Sequence, residues 1–319
     1  MRRPVVLSTG AYLPERLLTN RDMERMVETT HEWIVERTGI EERHIAADGE
    51  LTSDLAAKAA ANAIKRAGID ANTIDMVIVA TATPDDTIPS TATRVQYKLG
   101  ITRGGAFDLN AACSGFVYAL GIAAGFAASG QAKRMLIIGA EVFSRIIDWK
   151  DRGTCILFGD GAAALLLDVR EEKEKGLLYT NLYSDGAYGG MLATTGGVAS
   201  TQTAGVLTMA GKEVYRHAVA KMPEAVEAAM HALNLPLSAI DWLVPHQANL
   251  RILASVGERL GIAPEKVITT VGKHANTSAA SIPLALNAAC DDGRIQPGHL
   301  VVCPAMGAGF TWGCSVIRW

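Results

Sequence analysis

Residues 109–132 read LNAACSGFVYALGIAAGFAASGQA, 24 residues without a charge, of which eight are Ala and four are Gly. Length alone would allow such a run to cross a membrane. Its small residues, the polar Asn110 and Cys113 at its start and the strand-like runs on either side predict something else: a helix apolar on every side because it lies at the centre of a large core. A second uncharged run, residues 275–290 (ANTSAASIPLALNAAC), matches it.

Working outward, short patterns recur. Val95-x-x-x-Leu99-Gly100-Ile101 returns as Val256-x-x-x-Leu260-Gly261-Ile262, 161 residues on. Ile74-Asp75 before the apolar run 76–80 returns as Ile240-Asp241 before 242–245, 166 residues on, and Met135–Ile138 returns as Leu300–Cys303, 165 on. Near-constant offsets of about half the 319-residue chain predict an internal duplication, with halves 1–172 and 173–319. Cys113 and Asn276, 163 apart, then hold equivalent places at the starts of the two uncharged runs, and a pseudo-twofold axis can bring them to one pocket.

Within each half the elements alternate. Thr52-Ser53-Asp54 offers helix-capping oxygens, residues 55–67 are Ala-rich with apolar residues at helical spacing, and Gly68 is placed to end the helix. The following Met76-Val77-Ile78-Val79-Ala80 is continuously apolar, as in a strand covered on both faces. This is an α/β pattern, with parallel or mixed sheets that can pack around shared central helices.

A composition of 49% hydrophobic and 20% charged residues, with 31 Gly and 11 Pro, excludes collagen-like, disordered and disulfide-scaffold classes. Thirty basic against 33 acidic residues give a net charge of −3 and no global field for nucleic acid. The start, Met-Arg-Arg-Pro-Val-Val-Leu, lacks a signal-peptide pattern, so a cytoplasmic chain is expected, with no membrane partner. Five cysteines with no CxxC pair argue against a disulfide framework and a zinc site, and no metal is expected.

The chemistry-bearing residues sit at the ends of these elements. A thiol at the N-terminus of a helix feels the positive end of its dipole, so Cys113 is expected to have a lowered pKa and to act as nucleophile; the alternative is a small core residue. His246 follows the apolar run Trp242-Leu243-Val244-Pro245, at the end of a buried strand, where α/β folds place catalytic groups. His274, two residues before Asn276, competes with it. Asn276 is either a helix cap or a neutral donor to an oxyanion. Gly307-Ala308-Gly309 can form a tight turn whose N–H groups make an oxyanion hole, whereas the spacing does not fit a GxGxxG nucleotide loop. Gly159-Asp160-Gly161 reads as a turn.

Several segments together resemble the β-ketoacyl-acyl-carrier-protein synthase III family of the thiolase superfamily. They are Glu32-Trp33-Ile34 with Arg37-Thr38-Gly39-Ile40, the Cys113 segment, Asp151-Arg152-Gly153-Thr154, Phe158-Gly159-Asp160-Gly161, Val244 to Asn249, His274 to Ser278 and Gly309-Phe310-Thr311-Trp312-Gly313. The resemblance runs nearly end to end. It implies a thiolase-like five-layer αβαβα fold, in which each duplicated half has a mixed sheet around central buried helices, and a homodimer. It also implies an acyltransferase that condenses an acyl-CoA starter with malonyl-acyl-carrier protein, losing carbon dioxide, and that needs no cofactor. Catalysis falls to Cys113, His246 and Asn276, which prefers His246 over His274, and the oxyanion hole to the N–H groups of Cys113 and Ala308. Trp33 and Arg152 would sandwich the adenine of CoA, Arg37 would reach a phosphate, and Asn249 would hold the pantetheine. Arg216, Arg251 and Arg259 would form a basic patch for the carrier protein.

Three positions depart from the pattern. Ile88 stands where some members have an aromatic residue that closes the acyl pocket across the dimer, so longer starters are expected to enter. Ala275 stands where Gly is common, and Met306 precedes the oxyanion turn. Two rivals share these features: a related enzyme of secondary metabolism acting on a special starter or transferring its acyl group elsewhere, and a non-catalytic acyl-CoA-binding scaffold.

Overall fold

A computed structural model describes residues 1–319. The first half builds a sheet from β1 (Arg2–Tyr12), β2 (Met76–Ala80), β3 (Gly105–Leu109), β4 (Arg134–Glu141) and β5 (Gly161–Glu171), in the spatial order β1-β5-β4-β2-β3. β2 runs parallel to both β3 and β4, and β5 runs antiparallel to β4 and β1. The second half repeats this with β6 (Gly176–Ser184), β7 (Trp242–Leu243), β8 (Leu300–Gly307) and β9 (Thr311–Arg318), in the order β7-β8-β9-β6. Here β7 is parallel to β8, and β9 is antiparallel to β8 and β6. A parallel bridge between Leu243 and Val267 takes the place of β3. The two sheets therefore agree in order and direction strand for strand.

Six helices complete the layers: α1 (Thr52–Ala67), α2 (Thr91–Lys98), α3 (Gly115–Ser129), α4 (Gly211–Ala232), α5 (Leu250–Arg259) and α6 (Ser281–Asp291). Alternate residues of a strand face opposite sides, and the buried clusters follow that period. Along β2, Val77 and Val79 join α1 and α2 on the outside, while Ile78 and Ala80 turn inward. Along β8, Val302 packs outward with α4 and α5, while Val301 and Cys303 face inward. Between the two inner faces lie α3 and α6, with Phe116, Leu120, Ile282 and Leu286 in the same cluster as those strand residues. The result is the five-layer αβαβα arrangement.

The uncharged run thus forms the middle of the sandwich. Residues Ala112–Ser129 meet the length and hydropathy of a membrane span. α3 nevertheless packs against strands of both sheets. Burying each large apolar side chain there contributes about 1.5–3 kcal/mol. One capping expectation is corrected. α1 begins at Thr52, its N-cap is Leu51, and Asp54 accepts from the Leu51 N–H at 2.9 Å; the acid reaches back where a capping hydroxyl was expected. Gly68 ends the helix at φ +64°, as expected.

The halves meet backbone to backbone. A Cβ on Gly139, in β4, would stand 2.2 Å from the carbonyl oxygen of Ala279, just before α6. Gly139→Ala is therefore expected to destabilise the protein by roughly 1–3 kcal/mol, the usual cost of overpacking, read as a lower urea midpoint. Because both sheets share the central layer, tryptophan fluorescence and far-ultraviolet circular dichroism are expected to report one coincident unfolding transition. Two separated transitions would contradict the shared core.

Candidate active site

β3 delivers Cys113 to the centre through a strained turn. The Asn110 side chain accepts from the Ala112 N–H at 3.0 Å, Ala112 adopts φ +45°, and the chain enters a short 3-10 turn (Ala112–Ser114) that leads into α3. A positive φ at alanine is unfavourable and persists only where surroundings hold it. Those surroundings are the C-terminal hairpin: the Ser114 hydroxyl lies 2.6 Å from Thr311 Oγ1, and the Thr311 hydroxyl donates to Ala111 O at 3.0 Å. Gly307 sits so close that a Cβ would fall 2.7 Å from the Cys113 nitrogen. The Ala308 N–H beside it has no backbone acceptor. This is the expected turn, laid directly on the Cys113 amide.

His246 emerges from the end of β7, its N–H donating to Pro304 O at 2.9 Å. Its neighbour Gln247, wholly buried, donates from Nε2 to Pro245 O (2.8 Å) and Ile268 O (3.1 Å) and accepts at Oε1 from the N–H groups of Thr270 (2.8 Å) and Val271 (3.2 Å). All four bonding positions of the amide are used. They clamp the His246 loop to the segment that runs on to Asn276. Asn276 is in turn pinned to the first half, donating its N–H to Leu157 O at 2.9 Å and accepting from Gly159 N–H at 3.1 Å. Its Oδ1 accepts from Ser278 N–H at 2.9 Å, which leaves the Nδ2 donors free of protein partners. Asn276 is not the cap of α6, whose N-cap is Ala280.

Cys113, His246 and Asn276 line one cavity of about 70 Å³, walled mainly by apolar side chains including Phe158, Leu192, Val214 and Met306, with Asn249 at its edge. His274 lies outside this cavity, half-buried, with a buried and unpartnered Nδ1.

The electrostatics reverse one expectation. Burial pushes the Cys113 thiol up to about 12, with Ser278 pulling it down and the charge of Glu141 pushing it further up. Only 6% of the residue is exposed, and desolvation of the thiolate outweighs the helix terminus. Burial likewise pushes His246 down to about 3, so the imidazole is neutral. Glu141, at the end of β4, is fully buried and pushed up to about 7 by burial; it accepts from Thr83 Oγ1 (2.6 Å), Thr81 Oγ1 (3.1 Å) and Ala82 N–H. Neither it nor Gln247 was singled out in the sequence. The available signal was an ionisable or amide residue at the carboxyl end of a buried strand, the position that also marked His246. Asp160 is more than a turn residue: buried, it accepts from Ala46 N–H, Ser144 N–H and the Ser144 hydroxyl at 2.6–2.9 Å.

Outside the cavity, two guanidinium groups, Arg37 and Arg152, each stand over the Trp33 ring, 4.7 Å from its centroid. Arg152 also donates to Glu28 O at 2.8 Å. Asn249 is the N-cap of α5, accepting from Ile252 N–H at 3.0 Å, which leaves its amide nitrogen free for a ligand. Arg216, Arg251 and Arg259 lie on the packed pair α4 and α5. Arg216 pairs with Glu213, Arg259 with Glu224 at 3.6 Å, and the Arg251 guanidinium stands 5.9 Å from the Tyr215 ring. Ile88 is 85% exposed and takes no part in lining the cavity of its own chain.

Comparison with known proteins bears on this geometry. Residues 107–186 match the family described as 3-Oxoacyl-[acyl-carrier-protein (ACP)] synthase III, and residues 230–319 match its C-terminal region. The β-ketoacyl-[acyl-carrier-protein] synthase III of Rhodospirillum centenum is 56% identical, with 99% of each chain covered. The crystal structure of 3-oxoacyl-[acyl-carrier-protein] synthase III from Aquifex aeolicus superposes with a TM-score of 0.94 at 41% identity, covering 99% of this chain and 100% of that one. The priming β-ketosynthase of the R1128 polyketide pathway superposes with a TM-score of 0.93 at 33% identity, covering 99% and 96%.

A raised thiol pKa leaves Cys113 protonated at neutral pH and its thiolate fraction growing with pH. Alkylation of the Cys113 peptide by iodoacetamide, followed by mass spectrometry, is expected to be slow at pH 7 and to accelerate about tenfold per unit toward pH 9. A flat rate over that interval would indicate a thiol already ionised.

Proposed function

Since the chain belongs to the 3-oxoacyl-[acyl-carrier-protein] synthase III family, we propose that it condenses an acyl-CoA starter with malonyl-acyl-carrier protein, releasing carbon dioxide and forming the 3-oxoacyl-carrier protein that begins fatty-acid synthesis. The observation that carries this reading is the convergence of Cys113, His246 and Asn276 on one largely apolar cavity. Of the duplicated halves, 1–172 supplies the nucleophile and 173–319 the two donors.

The Cys113 sulfur attacks the thioester carbonyl of acyl-CoA, and the resulting oxyanion is held by the N–H groups of Cys113 and Ala308. Collapse expels CoA, which leaves with the proton that Cys113 gives up. Malonyl-carrier protein then enters. Donors on His246 and Asn276 hold its thioester oxygen, so that when carbon dioxide departs the electron pair is stabilised as an enolate. Its carbon attacks the acyl group, the carbon–carbon bond forms as the acyl carbon–sulfur bond breaks, and the Cys113 thiolate so released takes a proton from water. Neutral donors suit this step, because neither binds the malonyl carboxylate as an ion pair that would oppose its loss. No cofactor is required beyond the two thioesters.

The Trp33 and Arg152 pair, which stack on one another here, part to take the adenine, Arg37 holds a phosphate, and Asn249 bonds the pantetheine. Arg216, Arg251 and Arg259 receive the acidic carrier protein; the helices that bear them also supply cavity walls at Val214 and Ile252, so a carrier docked there can deliver its arm inward. The enzyme works in the cytoplasm as a homodimer. In support, β3 leaves one edge of its sheet unpaired, α2 packs against β3, and Ile88 just before α2 and Tyr97 within it are 85% and 87% exposed.

Intact-mass spectrometry after mixing with acyl-CoA is expected to show a stable acyl adduct that is absent from Cys113→Ala. Release of carbon dioxide from malonyl-carrier protein is expected to fall about 10²–10³-fold in His246→Ala and in Asn276→Ala. A protein that acquires no adduct from any acyl-CoA is the scaffold instead. For the gate, Ile88→Phe is expected to narrow acylation to short starters; unchanged labelling by longer acyl-CoAs would remove Ile88 from the pocket.

A further inference from the structure

The mechanism needs a proton on His246 Nε2, and resting on that reading one question remains: what keeps it there. A neutral imidazole carries one N–H, and the partner of one ring nitrogen decides which. Nδ1 of His246 lies 2.7 Å from the hydroxyl oxygen of Ser281, the first residue of α6 and only 2% exposed. The same oxygen is 3.2 Å from the Gln247 N–H. An amide N–H can only donate, so Ser281 accepts there. Its own hydrogen then has a single acceptor within reach, Nδ1. Were Nδ1 protonated, Ser281 would accept twice and its hydrogen would be buried without a partner, an arrangement that folded proteins avoid. The backbone cannot swing to relieve it, because the Gln247 side chain is held at both ends.

We propose that Ser281 is a positioning residue whose O–H···Nδ1 bond fixes His246 as the Nε2–H tautomer, making it a permanent donor toward the cavity. The choice of a hydroxyl matters. A carboxylate at the same place would draw a proton to Nδ1, turn Nε2 into an acceptor and favour the imidazolium, which is the arrangement of a general base. A hydroxyl donor does the opposite and leaves His246 unable to take the Cys113 proton without losing its bond. His246 therefore serves the malonyl half-reaction and contributes little to acylation.

The test uses the full chain labelled with ¹⁵N-histidine. In the imidazole spectrum at neutral pH, the signal missing from His246→Asn is expected to show Nδ1 bare and Nε2 protonated. In Ser281→Ala the Nδ1–H form should appear, and carbon dioxide release from malonyl-carrier protein should fall roughly 10- to 100-fold, the scale for losing a group that orients a histidine. Acylation of Cys113 by acyl-CoA should stay near the wild-type rate. A protonated Nδ1 in the wild type overturns the proposal, as does a Ser281→Ala protein that keeps both the tautomer and the rate. If the wild type releases no carbon dioxide at all, the condensing reading fails, while the wild-type spectrum still decides the role of Ser281.

Discussion

Two backbone hydrogen bonds at Asn276, one to Leu157 and one from Gly159, join the halves at the wall of the cavity. The rest of the site depends on that join. Cys113 belongs to the first half and His246 and Asn276 to the second, so a shift between halves would separate the thiol from the imidazole and the amide. Rigidity is reinforced where side chains are missing: Gly139 against Ala279 and Gly307 against Cys113 bring main chains to distances that any Cβ would forbid. Close-packed interiors transmit displacement rather than absorb it. The geometry of the cavity is therefore a property of the whole sandwich.

The resting site carries no paired charges. Its thiol is protonated, its imidazole neutral and its third member an amide, all by reason of burial. In water such donors are weak. In the reaction proposed, within an apolar cavity and aimed at an oxygen that gains charge, they would stabilise the transition state without first having to be stripped of solvent. Glu141 is the one ionisable carboxyl nearby, and its two threonine hydroxyls and the Ala82 N–H satisfy it away from the cavity. Its charge opposes ionisation of Cys113, in the same direction as burial.

Around this apolar centre the surface is polar. The arginines beside the half-buried Trp33 and the three on α4 and α5, two of them already paired with glutamates, are exposed groups whose geometry costs little to change. Exposed ion pairs contribute little stability, so they can be exchanged for a ligand's phosphates or a partner's carboxylates. The centre is built for precision and the rim for exchange.

The sequence by itself determined the layers. An uncharged helix of small residues has no stable place in a globular chain except between two apolar faces, and offsets of 161–166 residues announced two equivalent sheets and set Cys113 opposite Asn276. It also placed His246 at a strand end, though it left His274 as a rival. What only the tertiary structure decided was the state of those groups. Helix-terminus reasoning lowered the Cys113 thiol, and burial raised it; Asn276 looked like a cap and became a free donor. Gln247, Ser281 and Glu141 went unread because each acts on a partner remote in the chain, Ser281 on His246 across 35 positions. Hydropathy is a local property that a string of letters carries. Desolvation and hydrogen-bond direction exist only once distant segments are packed together.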